Sequence, residues 1–122
     1  MTLALKYLGH RCTSDSVAKP WYFAGTLDLE PGTIITVPPG GIVLGRGRAA
    51  NVRVASNVVA RAHARVWPSD DGTSLEVEDL GSTNGTSSSR CEGRRHHLVS
   101  GDILTLALVF DFEVVSVPYR DP

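Results

Sequence analysis

Apolar and polar positions alternate along most of this chain. Leu3, Leu5 and Tyr7 alternate with Ala4, Lys6 and Leu8. Leu75 and Val77 alternate with Ser74, Glu76 and Glu78, and Leu108, Phe110, Phe112 and Val114 alternate with Val109, Asp111, Glu113 and Val115. A period of two sends successive side chains to opposite faces, so each stretch predicts a strand with one face buried. Apolar runs at 33–37, 42–44 and 103–106 predict further strands. The segment NVVARAHARV at 57–66 places Val59, Arg61, His63 and Arg65 on one strand face and Ala60, Ala62, Ala64 and Val66 on the other. Turn residues punctuate these runs: Pro31-Gly32, Pro38-Pro39-Gly40-Gly41, Asp71-Gly72, Asn84-Gly85 and Ser100-Gly101. Nine or more short strands without a helical window predict an all-β sandwich or barrel. No internal repeat or domain boundary is visible. The expectation is a single domain over 1–122, with its core at about 20–117 and an N-terminal strand and polar loop over 1–19.

A length of 122 residues suffices for a hydrophobic core without staples, and 42% hydrophobic residues argue against disorder. The formal net charge of −1 gives no global attraction to nucleic acid or to an anionic membrane. The charge is unevenly placed. Arg46, Arg48, Arg53, Arg61 and Arg65 lie between Gly45 and Trp67 with no acid among them, and five acids lie between Asp70 and Asp79 with no base. A local basic patch on a near-neutral chain points to a small anionic target. Two distant cysteines, Cys12 and Cys91, make no disulfide framework, so a reducing, cytoplasmic setting is expected. The N-terminus lacks a signal-peptide pattern, and no apolar run is long enough to span a membrane.

Several catalytic and cofactor patterns fail on inspection. Gly45–Ala50, GRGRAA, fits the dinucleotide fingerprint G-x-G-x-x-A, with Asp70 at a ribose-binding distance. That fingerprint needs a helix opening at the second glycine, whereas residues 51–66 are β-branched and alternating. No phosphate-loop Gly-Lys-Ser/Thr occurs. Cys91, His96 and His97, with Cys12, have no recognised zinc spacing, and no hydrolase elbow is present. The expectation is therefore no enzyme, no cofactor and no metal.

One ordered set of motifs remains. Gly45-Arg46 closes a strand, Ala60-Arg61-Ala62-His63-Ala64 opens another, and Leu80-Gly81-Ser82-Thr83-Asn84-Gly85-Thr86 forms a turn. Ser100-Gly101-Asp102-Ile103-Leu104 comes next, and the chain ends in the Phe110–Val114 strand. This order resembles the forkhead-associated (FHA) domain over roughly residues 20–117. The resemblance implies a β-sandwich of about eleven strands in two sheets, with Greek-key-like connections and phosphothreonine-binding loops at one end. The physical chemistry agrees: a phosphothreonine carries nearly two negative charges and three strong acceptors, which suit an arginine fork and fixed backbone donors. By resemblance, Arg46 grips the phosphate and Arg61 adds a phosphate or backbone contact. Thr83 and Ser82 lie by the phosphothreonine, and Asn84 holds the peptide main chain. His63, Gly45 and Gly85 are architectural. The implied partner is a phosphothreonine-containing protein or peptide, a Ser/Thr kinase or its substrate.

Two departures qualify the match. The family usually has a serine three residues before the histidine, where this chain has Ala60, leaving only the Ala60 backbone N–H. One hydrogen bond to a charged group contributes roughly 1.5–3 kcal/mol, so its loss weakens binding. After Thr86 the family often continues with a hydrophobic residue and a second Asn-Gly hairpin, whereas Ser87–Arg95 is polar and basic, with Glu92-Gly93 in that place. Two readings stand at this point: phosphothreonine binding weakened by Ala60, and a phospho-independent interaction module.

Overall fold

The computed structural model describes residues 2–10, 31–54, 56, 58–89 and 93–117. Ten strands form among them: β1 (Thr2–His10), β2 (Ile34–Thr36), β3 (Ile42–Gly45), β4 (Val52–Arg53), β5 (Ala64–Pro68), β6 (Leu75–Asp79), β7 (Thr86–Ser88), β8 (Arg95–Leu98), β9 (Ile103–Leu106) and β10 (Phe110–Val117). They make two five-stranded sheets, ordered β2-β1-β10-β9-β7 and β4-β3-β5-β6-β8. Among the described strands, only β3 and β4 pair in parallel. The first and last strands run side by side from Thr2↔Val117 to His10↔Phe110. The chain switches sheets between β6 and β7 and again between β7 and β8, so its connections are Greek-key-like as expected. The described residues hold ten strands rather than about eleven.

The core lies between the sheets. Leu5, Tyr7, Leu104, Leu106, Phe110 and Phe112 face Leu44, Val66, Leu75, Val77 and Leu98, all essentially inaccessible to water. Each such side chain contributes about 1.5–3 kcal/mol when fully buried. The Tyr7 and Phe112 rings pack at 5.2 Å between centroids. Along β6 the burial alternates as its sequence demands: Leu75, Val77 and Asp79 inside, Glu76 and Glu78 half-buried outside.

Three sequence expectations need correction. The alternation at 57–66 is a strand only from Ala64 onward; residues 58–63 form a loop in which Val59 and His63 are buried while Arg61 is exposed. Hydrogen bonds fold this segment back on itself, so its side chains do not follow a pleat. Leu108 does not extend the buried row of β10; it sits 67% exposed in the β9–β10 turn, where Ala107 and Leu108 both take positive φ. Ala4 is buried as well as Leu5, because β1 is an interior strand and Ala4 lies between Thr36 and Val115. Of the N-terminal strand and polar loop expected over 1–19, Thr2–His10 forms β1. The rest of that loop, with Cys12, Arg90, Cys91 and Glu92, lies outside the described residues.

Candidate functional site

Three connections meet at one end of the sandwich. Leu44 pairs with Ala64, and Ala64 pairs with Asp79, so the exit of β3, the entry of β5 and the exit of β6 lie together. Thr86 pairs with Leu106, and the Ala107 N–H donates to the Gly85 carbonyl at 2.9 Å, which brings the β9–β10 turn to the same end. Among the sequence-predicted residues, the structure gathers Gly45, Arg46, Ala60, Arg61, His63, Ser82, Thr83, Asn84 and Gly85 into these connections.

Glycine is required at position 45 by crowding. A Cβ there would overlap the Arg61 carbonyl oxygen and lie 2.9 Å from its carbon. The close approach lets the two loops exchange backbone hydrogen bonds: the Arg46 N–H donates to Ala60 O at 2.9 Å and the Gly47 N–H to Arg61 O at 3.0 Å. At Gly85 the reason differs. Its φ is +86°, and nothing would touch a Cβ within 4 Å, so the turn conformation alone selects glycine.

His63 ties the loops from below. Its side chain is fully buried, and both ring nitrogens are engaged. The Ala60 N–H donates to Nδ1 at 3.0 Å, and because an amide can only donate, Nδ1 is unprotonated. Nε2 therefore carries the proton and donates to the Gly85 carbonyl at 2.7 Å. The Asp79 carboxylate, 4.0 Å from Nε2, is too far to share that bond. This pairing changes the reading of Ala60. Its amide N–H, expected to remain for a phosphate oxygen, is already held by the ring, and its side chain has no hydroxyl.

Asp79 organises the turn between β6 and β7, a role sequence reasoning missed. Its Oδ1 accepts the Gly81 and Ser82 N–H groups, both at 2.8 Å. Its Oδ2 accepts the Ser82 hydroxyl at 2.5 Å and the Thr86 hydroxyl at 2.7 Å. The Ser82 oxygen in turn accepts the Gly85 N–H at 3.0 Å. Burial pushes the Asp79 carboxyl up, but the Ser82 and Thr86 hydroxyls and the two amides outweigh it and hold its pKa at about 2. Ser82 is thus bound into the turn. An aspartate two residues before a glycine and three before a serine was a readable signal, since such side chains accept from the backbone just ahead.

Arg46 and Asn84 reach across to the middle loop. Arg46 Nε donates to Val59 O at 2.9 Å, and Asn84 Nδ2 donates to Val58 O at 2.8 Å. Arg46 is half-buried and held by its Nε, leaving its terminal nitrogens for another acceptor. Asn84 keeps its carbonyl and one N–H. Arg61 and Thr83 are exposed. Beside this end an open pocket of about 510 Å³ is lined by Asp79, Ser82, Thr86, Arg94 and Leu108, among others.

His96 and His97, considered as zinc ligands, lie on opposite faces of β8 and cannot share an ion. His96 is buried; its Nε2 lies 2.9 Å from Gly93 O and 3.3 Å from Thr86 O, and its Nδ1 3.1 Å from the Ser88 hydroxyl, stitching β8 to β7. His97 is exposed and pairs with Glu76 at 2.5 Å across β6 and β8. Residues 46–50 form a turn into β4, not the helix a dinucleotide site needs.

The family model for the FHA domain matches residues 42–107, 66 of the 122 residues. The chain belongs to the FHA-domain family. This FHA domain is 33% identical over 84 residues to the FHA domain-containing protein FhaA of Mycobacterium tuberculosis (strain ATCC 25618 / H37Rv). That match takes in 66% of the chain and spans only 15% of the curated relative's length. Solved structures share its fold. One, from a study of phosphothreonine-dependent FHA domain interactions, has a TM-score of 0.69 at 21% identity and covers 98% of this chain and 100% of that one. The FhaA FHA domain in complex with the intracellular domain of Rv3910 has a TM-score of 0.65 at 21% identity, covering 93% and 99%. Mycobacterium tuberculosis EmbR with a low-affinity phosphopeptide has a TM-score of 0.62 at 20% identity, covering 98% of this chain and 26% of that one.

Proposed function

We propose that this FHA domain is a non-catalytic docking module that binds phosphothreonine-containing segments of partner proteins at its loop end. The observation that carries this reading is Arg46, fixed through Nε to Val59 where the loops meet. Its remaining donors suit a doubly charged phosphoryl group, which charge-assisted bonds recognise best. Arg61 adds a second guanidinium, and Asn84 and Thr83 face the peptide main chain and the threonine. The neighbouring pocket gives room for a further peptide side chain. The partner is a Ser/Thr kinase or its substrate, met in the cytoplasm. The relatives support this reading, since FhaA was solved with an intracellular domain and EmbR with a phosphopeptide.

A specific observation favours a weaker second reading, phospho-independent docking. Ala60 offers neither a hydroxyl nor a free amide, so the guanidinium groups would carry the phosphate without help from that loop. Calorimetric titration with matched phosphothreonine and unphosphorylated peptide libraries decides between them. Binding confined to phosphorylated members, and lost in Arg46→Gln, is the expected result. Equal binding of both sets, or of neither, overturns it in favour of the second reading.

A further inference from the structure

The loop end holds more positive charge than one phosphate needs. Arg46, Arg48, Arg53 and Arg61 fall within 16 residues, and none pairs with a carboxylate among the described residues. The positions converge in space as well. Arg53 pairs with Gly45 between β4 and β3, and its Nε donates to the Arg46 carbonyl at 3.2 Å. Its side chain is thereby drawn along the strand pair toward Arg46. Arg48 stands exposed in the turn between them.

Among the described residues, the nearby carboxylates are engaged or face away from this end. That of Asp79 accepts from Gly81, Ser82 and Thr86, and that of Glu76 lies 2.5 Å from the His97 ring. Glu78 lies on the outer face of β6, between Arg65 and Arg95 in the cross-strand register. Asp70 and Asp71 sit beyond Pro68, at the opposite end of β5 from Ala64. Four like charges held together repel one another in the free protein. A phosphothreonine brings about −1.5 to −2, which leaves roughly half of that positive charge unmatched. Arg46 and Arg61 suffice for a single phosphate, so Arg53, with Arg48, is free to act on another group.

We propose that Arg53 and Arg48 form a second anionic subsite, which takes a further phosphoryl or carboxylate group on the same phosphothreonine-bearing segment. This rests on the phosphothreonine reading of the loop end and deepens it: the ligand is a multiply phosphorylated or acid-rich segment. A backbone-tethered arginine loses less freedom on binding than a loose one, so the subsite is partly organised before the ligand arrives. Arg48 and Arg53 are exposed, so the gain is modest and screened by salt.

The test is calorimetric titration of the whole chain with one phosphothreonine peptide and two derived series. One series carries a glutamate, the other a second phosphothreonine, moved stepwise along either side of the first. The expected result is that at one or two adjacent positions the second group tightens binding about threefold to tenfold, the phosphate more than the carboxylate. In Arg53→Gln that ratio falls below about twofold, and in Arg48→Gln it falls partway. Both residues are exposed, and a circular dichroism melt checks that the variants fold. A gain from the phosphate series alone narrows the subsite to a second phosphoryl group; a gain from both assigns it to either anion. If the single phosphothreonine peptide binds but no second group helps, or if the gain survives Arg53→Gln, the subsite is refuted while the phosphothreonine site stands. If no peptide of any series binds, both fall. Equal competition by a non-peptide polyanion such as heparin would also overturn the subsite, by showing plain charge attraction.

Discussion

Replacing His63 by alanine removes a ring that touches two loops and leaves the Ala60 N–H without its acceptor. The Ala60 N–H loses its partner at 3.0 Å and the Gly85 carbonyl one of its two donors, at 2.7 Å, keeping the Ala107 N–H, at a position with 0% exposure. The unpaired amide costs about 1–3 kcal/mol, and the lost bond to Gly85 adds about 0.5–1.5 kcal/mol. Water entering the void satisfies part of that demand, so about 1–3 kcal/mol is the expected loss. With a urea m-value of about 2 kcal/mol/M, this moves the unfolding midpoint down by about 0.5–1.5 M. Arg61→Ala is the control: an exposed side chain next to the same loop, expected to change stability by less than about 0.5 kcal/mol. His63→Gln, which keeps an acceptor and a donor, should recover part of the loss. Equilibrium urea melts followed by tryptophan fluorescence read all three variants. If His63→Ala melts within about 0.5 kcal/mol of Arg61→Ala, the ring does not hold the loops together.

The same geometry sets three further outcomes. Gly45→Ala drives a methyl into the Arg61 carbonyl, so the loops must part; a loss of about 1–3 kcal/mol is expected in the same melts. The folded-state pKa of Asp79 is about 2, below its ordinary 3.8, so the stability it contributes is fully present above that ordinary value and is lost as the pH falls toward 2. Asp71, whose carboxyl is lowered to about 2 mainly by the Ser69 hydroxyl, titrates in the same range, so the Asp79 contribution is read as the difference between the wild type and Asp79→Asn, which should narrow as the pH falls. Ala60→Ser supplies the missing hydroxyl beside Arg46, and a phosphothreonine peptide should bind about threefold to thirtyfold tighter by calorimetry, the gain vanishing in an Arg46→Ala background.

The strands were legible because their apolar positions either alternate or run without a break. Leu75–Asp79, Ile103–Leu106 and Phe110–Val117 alternate or run apolar in register with the sheets they join. The sites of the loops were legible from glycine and asparagine, which mark turns whatever surrounds them. What failed to show was everything decided by contacts across loops. The 57–66 segment alternates like a strand, yet its bonds to Arg46, Gly47 and His63 hold its first half as a loop. The engagement of the Ala60 N–H by its own neighbour three residues on cannot be seen in a string of letters. Neither can the convergence of four donors on Asp79, because that depends on the turn being closed. Leu108 fits the periodicity of β10, and only the reversal of the chain through Ala107 turns it outward.

The central claim is that the end of the sandwich carrying Arg46, and not a sheet face, receives a phosphothreonine. Amide chemical-shift mapping of the whole chain with one phosphothreonine peptide and its unphosphorylated twin tests this directly. The account predicts that only the phosphorylated peptide moves resonances, and that the movements centre on Arg46, Arg61, Thr83 and Asn84, with the strand centres near Val66, Val77 and Phe112 unmoved. Shifts of equal size from both peptides, or shifts centred on the outer face around Trp67, Glu76 and His97, would contradict it.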